Sequence, residues 1–131
     1  MYLRFVTERL TAHGARRAGF LQACYEAVED KETPESSGVE LKTLIDWFEK
    51  NLVTPPRFNR TRSKGAYRRE GTALSWFKKD AEEHIAQAFA ASAILGELGH
   101  SVTILKTDRP GYVVYEDTYQ VVAQPFANTP T

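Results

Sequence analysis

The chain has a single cysteine, Cys24, which excludes an intramolecular disulfide and every cysteine-cluster metal motif and points to a reducing compartment. No stretch approaches the roughly 20 apolar residues that a membrane-spanning helix requires. The opening Met1-Tyr-Leu-Arg-Phe-Val-Thr-Glu8 lacks the basic region and apolar run of a secretory signal. A soluble, cytoplasmic protein is therefore expected. Glycine-rich phosphate-binding motifs and RNA-binding signatures are missing, and no nucleophile-elbow pattern surrounds Ser75. Net charge is also absent: 17 basic residues balance 17 acidic ones, so the chain as a whole has no field to steer polyanions toward it.

What is present suits one folded domain. A length of 131 residues, 42% hydrophobic content and two tryptophans allow a buried core without a disulfide or metal to hold it. The expected domain spans residues 1–126, with 127–131 as a flexible C-terminal tail. Neutrality conceals a segregated charge. Residues 57–69 carry six cations, Arg57, Arg60, Arg62, Lys64, Arg68 and Arg69, and no acid. Without those six, eleven bases face seventeen acids, and part of the acidic excess lies at Glu26, Glu29, Asp30, Glu32, Glu35 and Glu40.

Tyr2–Val6 reads as a first strand, with Leu3 and Phe5 on one face and Tyr2, Arg4 and Val6 on the other. Helical spacing of Phe20, Leu21, Cys24, Ala27 and Val28 predicts a helix over 15–29, in which Cys24 is a core residue. A second helix is expected from the capping box Ser37-Gly-Val-Glu40, carrying Leu41, Leu44, Ile45, Phe48 and Leu52 and ending at Pro55-Pro56. Thr72 is the expected N-cap of a long third helix through Leu74, Phe77, Ala81, Ile85, Ala88, Leu95 and Leu98, terminated by Gly99 in a left-handed conformation. Three strands follow in Ser101–Thr107, Tyr112–Tyr115 and Gln120–Ala123, arranged as an antiparallel meander. The order β-α-α-α-β-β-β gives an α+β fold, with three helices packed on a small, mainly antiparallel sheet. The last two strands are apolar at nearly every position, so cover is expected on both faces, from a homodimer partner or from the chain itself.

The basic loop is the foremost candidate site. Guanidinium groups bind phosphate oxygens in pairs, while Phe58, Tyr67 and Trp76 offer rings on which bases stack. Against this stands a bland reading, a solvated loop or one neutralised by the acidic first-helix region. Trp76, Asp80 and His84, spaced four apart on one helix, offer either a weak acid–base or metal pair or, more ordinarily, an ion pair beside a half-buried tryptophan. A three-histidine metal site of His13, His84 and His100 is geometrically possible, but nothing in the sequence supports it. Asp108, Glu116 and Asp117 bracket a hairpin and offer either paired carboxylates for acid–base work or, more ordinarily, turn residues recruited for their backbone hydrogen bonds. Tyr112, Tyr115 and Tyr119 form a candidate contact surface.

The segments Asp46-Trp-Phe-Glu-Lys-Asn-Leu52, Ser75-Trp-Phe-Lys78, Glu83-His-Ile85 and Pro110-Gly-Tyr-Val-Val-Tyr-Glu-Asp117 resemble a group of small bacterial proteins with no assigned activity. The resemblance implies a bacterial or mobile-element setting and carries no site residues. Together these readings favour a small non-enzymatic binding protein, without metal or cofactor, whose partner is a nucleic acid or another phosphate-bearing or acidic molecule. The alternatives are a protein-interaction or homodimer module built on the terminal strands and, behind it, a small enzyme centred on Asp80 and His84.

Overall fold

The computed structural model describes residues 1–10, 16–54 and 73–131. In chain order these form strand β1 (Tyr2–Leu10), strand β2 (Arg17–Gly19), helix α1 (Phe20–Glu29), helix α2 (Glu35–Asn51), strand β3 (Leu74–Lys78), helix α3 (Glu82–Glu97), and strands β4 (Val102–Thr107), β5 (Tyr112–Glu116) and β6 (Gln120–Gln124). The fold is α+β, with three helices and a mainly antiparallel six-stranded sheet. The first strand, the three helices and the last three strands follow the expected order, with β2 added before α1 and β3 between α2 and α3.

Strand β1 has partners on both edges. Along one, Tyr2–Thr7 pairs with Thr107–Val102 of β4. Along the other, Tyr2 and Leu3 meet Lys78 and Phe77 of β3, and the register from Val6 to Leu10 belongs to β2. The sheet continues from β3 to β6 and from β6 to β5. Strands β4 and β5 are therefore not neighbours: the expected meander resolves into a β5–β6 hairpin and a strand that returns to β1. The loop between them shows why. Gly111 has φ +133°, and a Cβ there would collide with the backbone carbonyl of Gln124. The loop thus docks on the end of β6 instead of folding β5 back onto β4.

The strands alternate as pleated backbone requires. Leu3 and Phe5 of β1 and Phe77 of β3 face the helices, which contribute Phe20, Cys24 and Ala27, then Leu41, Ile45 and Phe48, then Ala88, Ala91 and Leu95. Each trio sits at steps of three or four, one stripe per helix. Cys24 is a core residue, and burial pushes its thiol pKa up to about 12. On the opposite face, Val6, Trp76 and Leu105 form a smaller cluster with Tyr2 and Leu74. Strand β6 is buried at every position, so its apolar run is covered within one chain.

The start of the expected third helix is a strand. Leu74, Phe77 and Ala81 fit a helical stripe by spacing, but Trp76 and Phe77 are both buried, on opposite sides of the sheet. A strand covered on both sides lets two consecutive large aromatics leave water on opposite faces. Helix α3 begins after the turn at Lys79-Asp80. Its C-terminus is as expected: Gly99 has φ +91°, with Gly99 N–H donating to the Gly96 carbonyl and His100 N–H to that of Leu95, the paired bonds of a Schellman motif.

The other boundaries shift too. Helix α2 starts at Glu35 with Pro34 as its N-cap, so Ser37 and Glu40 lie inside the helix and do not cap it. Its last residue, Asn51, precedes the two prolines by several positions. The segment expected as a free tail carries hydrogen bonds: Thr129 Oγ1 donates to the Arg109 carbonyl, and Arg17 N–H donates to the carbonyl of Thr131. Phe126 packs edge-on against Tyr112 beneath the Arg109 guanidinium.

These contacts rank two glycines. Gly99→Ala meets no atom within 4 Å and should cost only the backbone strain of a positive φ, about 1 kcal/mol. Gly111→Ala adds a collision with the Gln124 backbone and should cost distinctly more. Urea denaturation of the two variants checks the order.

Candidate functional site

Arg57, Arg60, Arg62, Lys64, Tyr67, Arg68 and Arg69 lie outside the described residues. On either side of that basic segment, the described chain leaves α2 through Leu52–Thr54 and resumes at Ala73, just before β3. Trp76, grouped with these residues as a stacking ring, is fully buried in β3. It packs within the fold and offers no surface to a base, because strand geometry turns it into the second cluster. The tyrosines separate. Tyr112 is 58% exposed on the edge strand β5, Tyr119 is 43% exposed in the following turn, and Tyr115 is half-buried. By its pairing with Val122, Tyr115 belongs to the middle of the hairpin, past a register shift after Val113.

Asp80 and His84 do not share a helix. Asp80 is exposed in the turn before α3, while His84 is buried inside the first turn and a half. Its imidazole stacks on Tyr119 at 4.3 Å and meets Trp47 edge-on at 4.8 Å. Its Nε2 lies 2.7 Å from the Asn51 carbonyl, which can only accept, so Nε2 carries the proton. His84 thus caps the last turn of α2 and ties it to α3. Among the described residues, no group of three His, Cys, Asp or Glu side chains could hold a metal ion.

Asp117 is the hub of a structural network. Its Oδ1 accepts the backbone N–H groups of Tyr119 and Gln120, and its Oδ2 accepts Tyr115 Oη–H and Gln120 Nε2–H. The buried Gln120 also donates Nε2–H to the Val53 carbonyl at 2.7 Å, and its Oε1 accepts Ser75 Oγ–H. This carboxylate therefore shapes the β5–β6 turn, in keeping with the ordinary role of turn aspartates. Through Gln120 it also fixes the chain at Val53, close to where the basic segment begins.

The arrangement with unspent binding capacity is at Arg4, which sequence reasoning did not select. Pairing between β1 and β3 stops after Leu3 and Phe77. Beyond that point the two strands border a cavity of about 190 Å³, lined by Arg4, Phe5, Gly19, Phe20, Leu21, Leu52, Ala73, Leu74, Ser75 and Phe77. Arg4 is 8% exposed. Its Nη2 donates to the Arg17 carbonyl at 3.0 Å, while its Nη1 has no hydrogen-bond partner. Burial, then the charges of Arg16 and Arg17, lower its pKa to about 10, so it remains a cation at neutral pH. The indole N–H of Trp76, on the same face of the sheet, is also buried without a partner. Leu52, just past the end of α2, and Ala73, where the described chain resumes, line the same cavity. The signal in the sequence was a lone arginine on the strand face Tyr2–Arg4–Val6.

The pH dependence of Asp117 is testable. Burial alone would raise its pKa, but the hydrogen bonds from Tyr119, Gln120 and Tyr115 hold it below its ordinary value. A depressed folded-state pKa contributes stability that is present above the unfolded value, about pH 4, and lost as pH falls through the folded one. Denaturant unfolding between pH 6 and 2.5 should show a shallower acid loss for Asp117→Asn than for wild type. No protein-family model matches the chain, and neither a curated protein nor a solved structure matches it.

Proposed function

We propose that this is a small binding protein for a phosphate-bearing or otherwise polyanionic partner, nucleic acid foremost, engaged through the basic segment 57–69. The supporting observation is the charge of the segment itself, six cations and no acid, together with a cluster of three arginines among the described residues. Leu52, shortly before the segment in sequence, and Ala73, the first described residue after it, line the cavity that Arg4 also lines, and Arg16 and Arg17 act on Arg4 electrostatically. The acids offer little internal compensation: among the described residues Glu26 pairs with Arg9, whereas Glu29, Asp30, Glu32, Glu35 and Glu40 take part in no ion pair. In this reading Arg57, Arg60, Arg62, Arg68 and Arg69 meet phosphates and Tyr67 adds a stacking surface, while Trp76 has a packing role.

A second reading, a protein contact or homodimer through β5, rests on a different observation. β5 is an edge strand whose Tyr112 and Val113 are both more than half exposed, and such an edge can accept another strand.

Fluorescence anisotropy of labelled single- and double-stranded DNA and RNA tests the first reading. Binding should weaken steeply between 50 and 200 mM salt because phosphate contacts release counterions. Replacing all five arginines by alanine should reduce affinity at least about a hundredfold. Unchanged binding by that variant, or none by wild type at low salt, overturns it.

A further inference from the structure

We propose that the cavity between β1 and β3 is a binding site for a small apolar monocarboxylate, with the Arg4 guanidinium as the group that recognises it. A cation buried without a counter-charge is costly, and native structures compensate it with a paired anion. Among the described residues no carboxylate pairs with Arg4. One of its terminal nitrogens is spent on the Arg17 carbonyl and the other is free. The missing partner is therefore an acceptor, and the charge makes it an anion.

The walls narrow its chemistry. Phe5, Phe20, Leu21, Leu52 and Phe77 are apolar, and the Ser75 hydroxyl already donates to Gln120. Inorganic phosphate or sulfate needs several donors around it, and one free guanidinium nitrogen against hydrocarbon does not supply them. A monoanion with a hydrocarbon body satisfies both the donor and the walls. Size agrees: a dry apolar cavity of about 150 Å³ holds benzene, so about 190 Å³ accommodates one ring or a branched chain with its carboxylate. Trp76 would follow as the next partner of Arg4 if the β1–β3 register continued past Leu3 and Phe77. Trp76 is fully buried and does not line the cavity, so the recognition of the carboxylate rests on Arg4.

This site uses none of the residues 57–69, so it stands or falls separately from polyanion binding. Calorimetric titration of the full chain with benzoate, its neutral isostere benzamide, and inorganic phosphate is the test. Benzoate should bind saturably, and benzamide and phosphate at least tenfold more weakly. Arg4→Met should abolish benzoate binding while raising the melting temperature of the unliganded protein, because it removes an uncompensated buried charge. Gly19→Leu, placed at the cavity lip where an added Cβ meets nothing within 4 Å, should block benzoate without unfolding the protein, which covers the case in which Arg4→Met does not fold. The variant lacking the five loop arginines should bind benzoate as wild type does. Failure of wild type to bind benzoate at millimolar concentration, equal affinity for benzamide or phosphate, or wild-type binding by either cavity variant overturns the proposal.

Discussion

Two-sided burial of a short stretch of sheet is the constraint from which the remaining architecture follows. Trp76 and Phe77 are adjacent in sequence, and both are removed from water. Because neighbouring side chains on a strand point to opposite faces, hydrophobic cover is needed both above and below β3. The three helices supply it on one side through Phe20, Phe48 and the alanine-bearing face of α3. On the other side the strands supply much of it themselves, through Val6, Leu74 and Leu105. Strand β6, alongside β3, shares the condition and is buried throughout. The edge strand β5 does not, and its outer residues remain in solvent.

This constraint explains what was readable in the sequence. Helices α1 and α2 and most of α3 announce themselves through stripes of period three to four, and β4, β5 and β6 through β-branched and aromatic runs. Strand β3 was obscured because Leu74, Phe77 and Ala81 continue the stripe of α3 by coincidence of spacing, and in five residues periodicity cannot separate the two. Strand β2 has three residues and no pattern at all. The partners of β4 depend on where Gly111 rests against Gln124, a tertiary contact with no local signature.

The candidate site was legible to a smaller degree. The basic segment stands out by charge alone, whereas Arg4 is one arginine in an apolar strand and gains meaning only when its surroundings are known. The interpretation of Trp76 changed with its secondary structure. On a helix it would have stood near the surface beside Asp80 and His84; on a strand it is sealed inside. His84 likewise reads as a titratable group in sequence and as a helix-capping donor in three dimensions.

The pairing of β1 with β4 also governs the time course of folding. Tyr2 meets Thr107, and Thr7 meets Val102, so the first strand finds this neighbour only across roughly one hundred residues of chain, a separation that slows folding. β1 finds β2 and Phe20 within about twenty residues, but its edge toward β4 stays open until Val102–Thr107 has been made. The helices between them need only local or intermediate-range contacts and can form earlier. One edge of β1 is thus among the last parts of the sheet to be secured, and until then it is open to pairing with another chain.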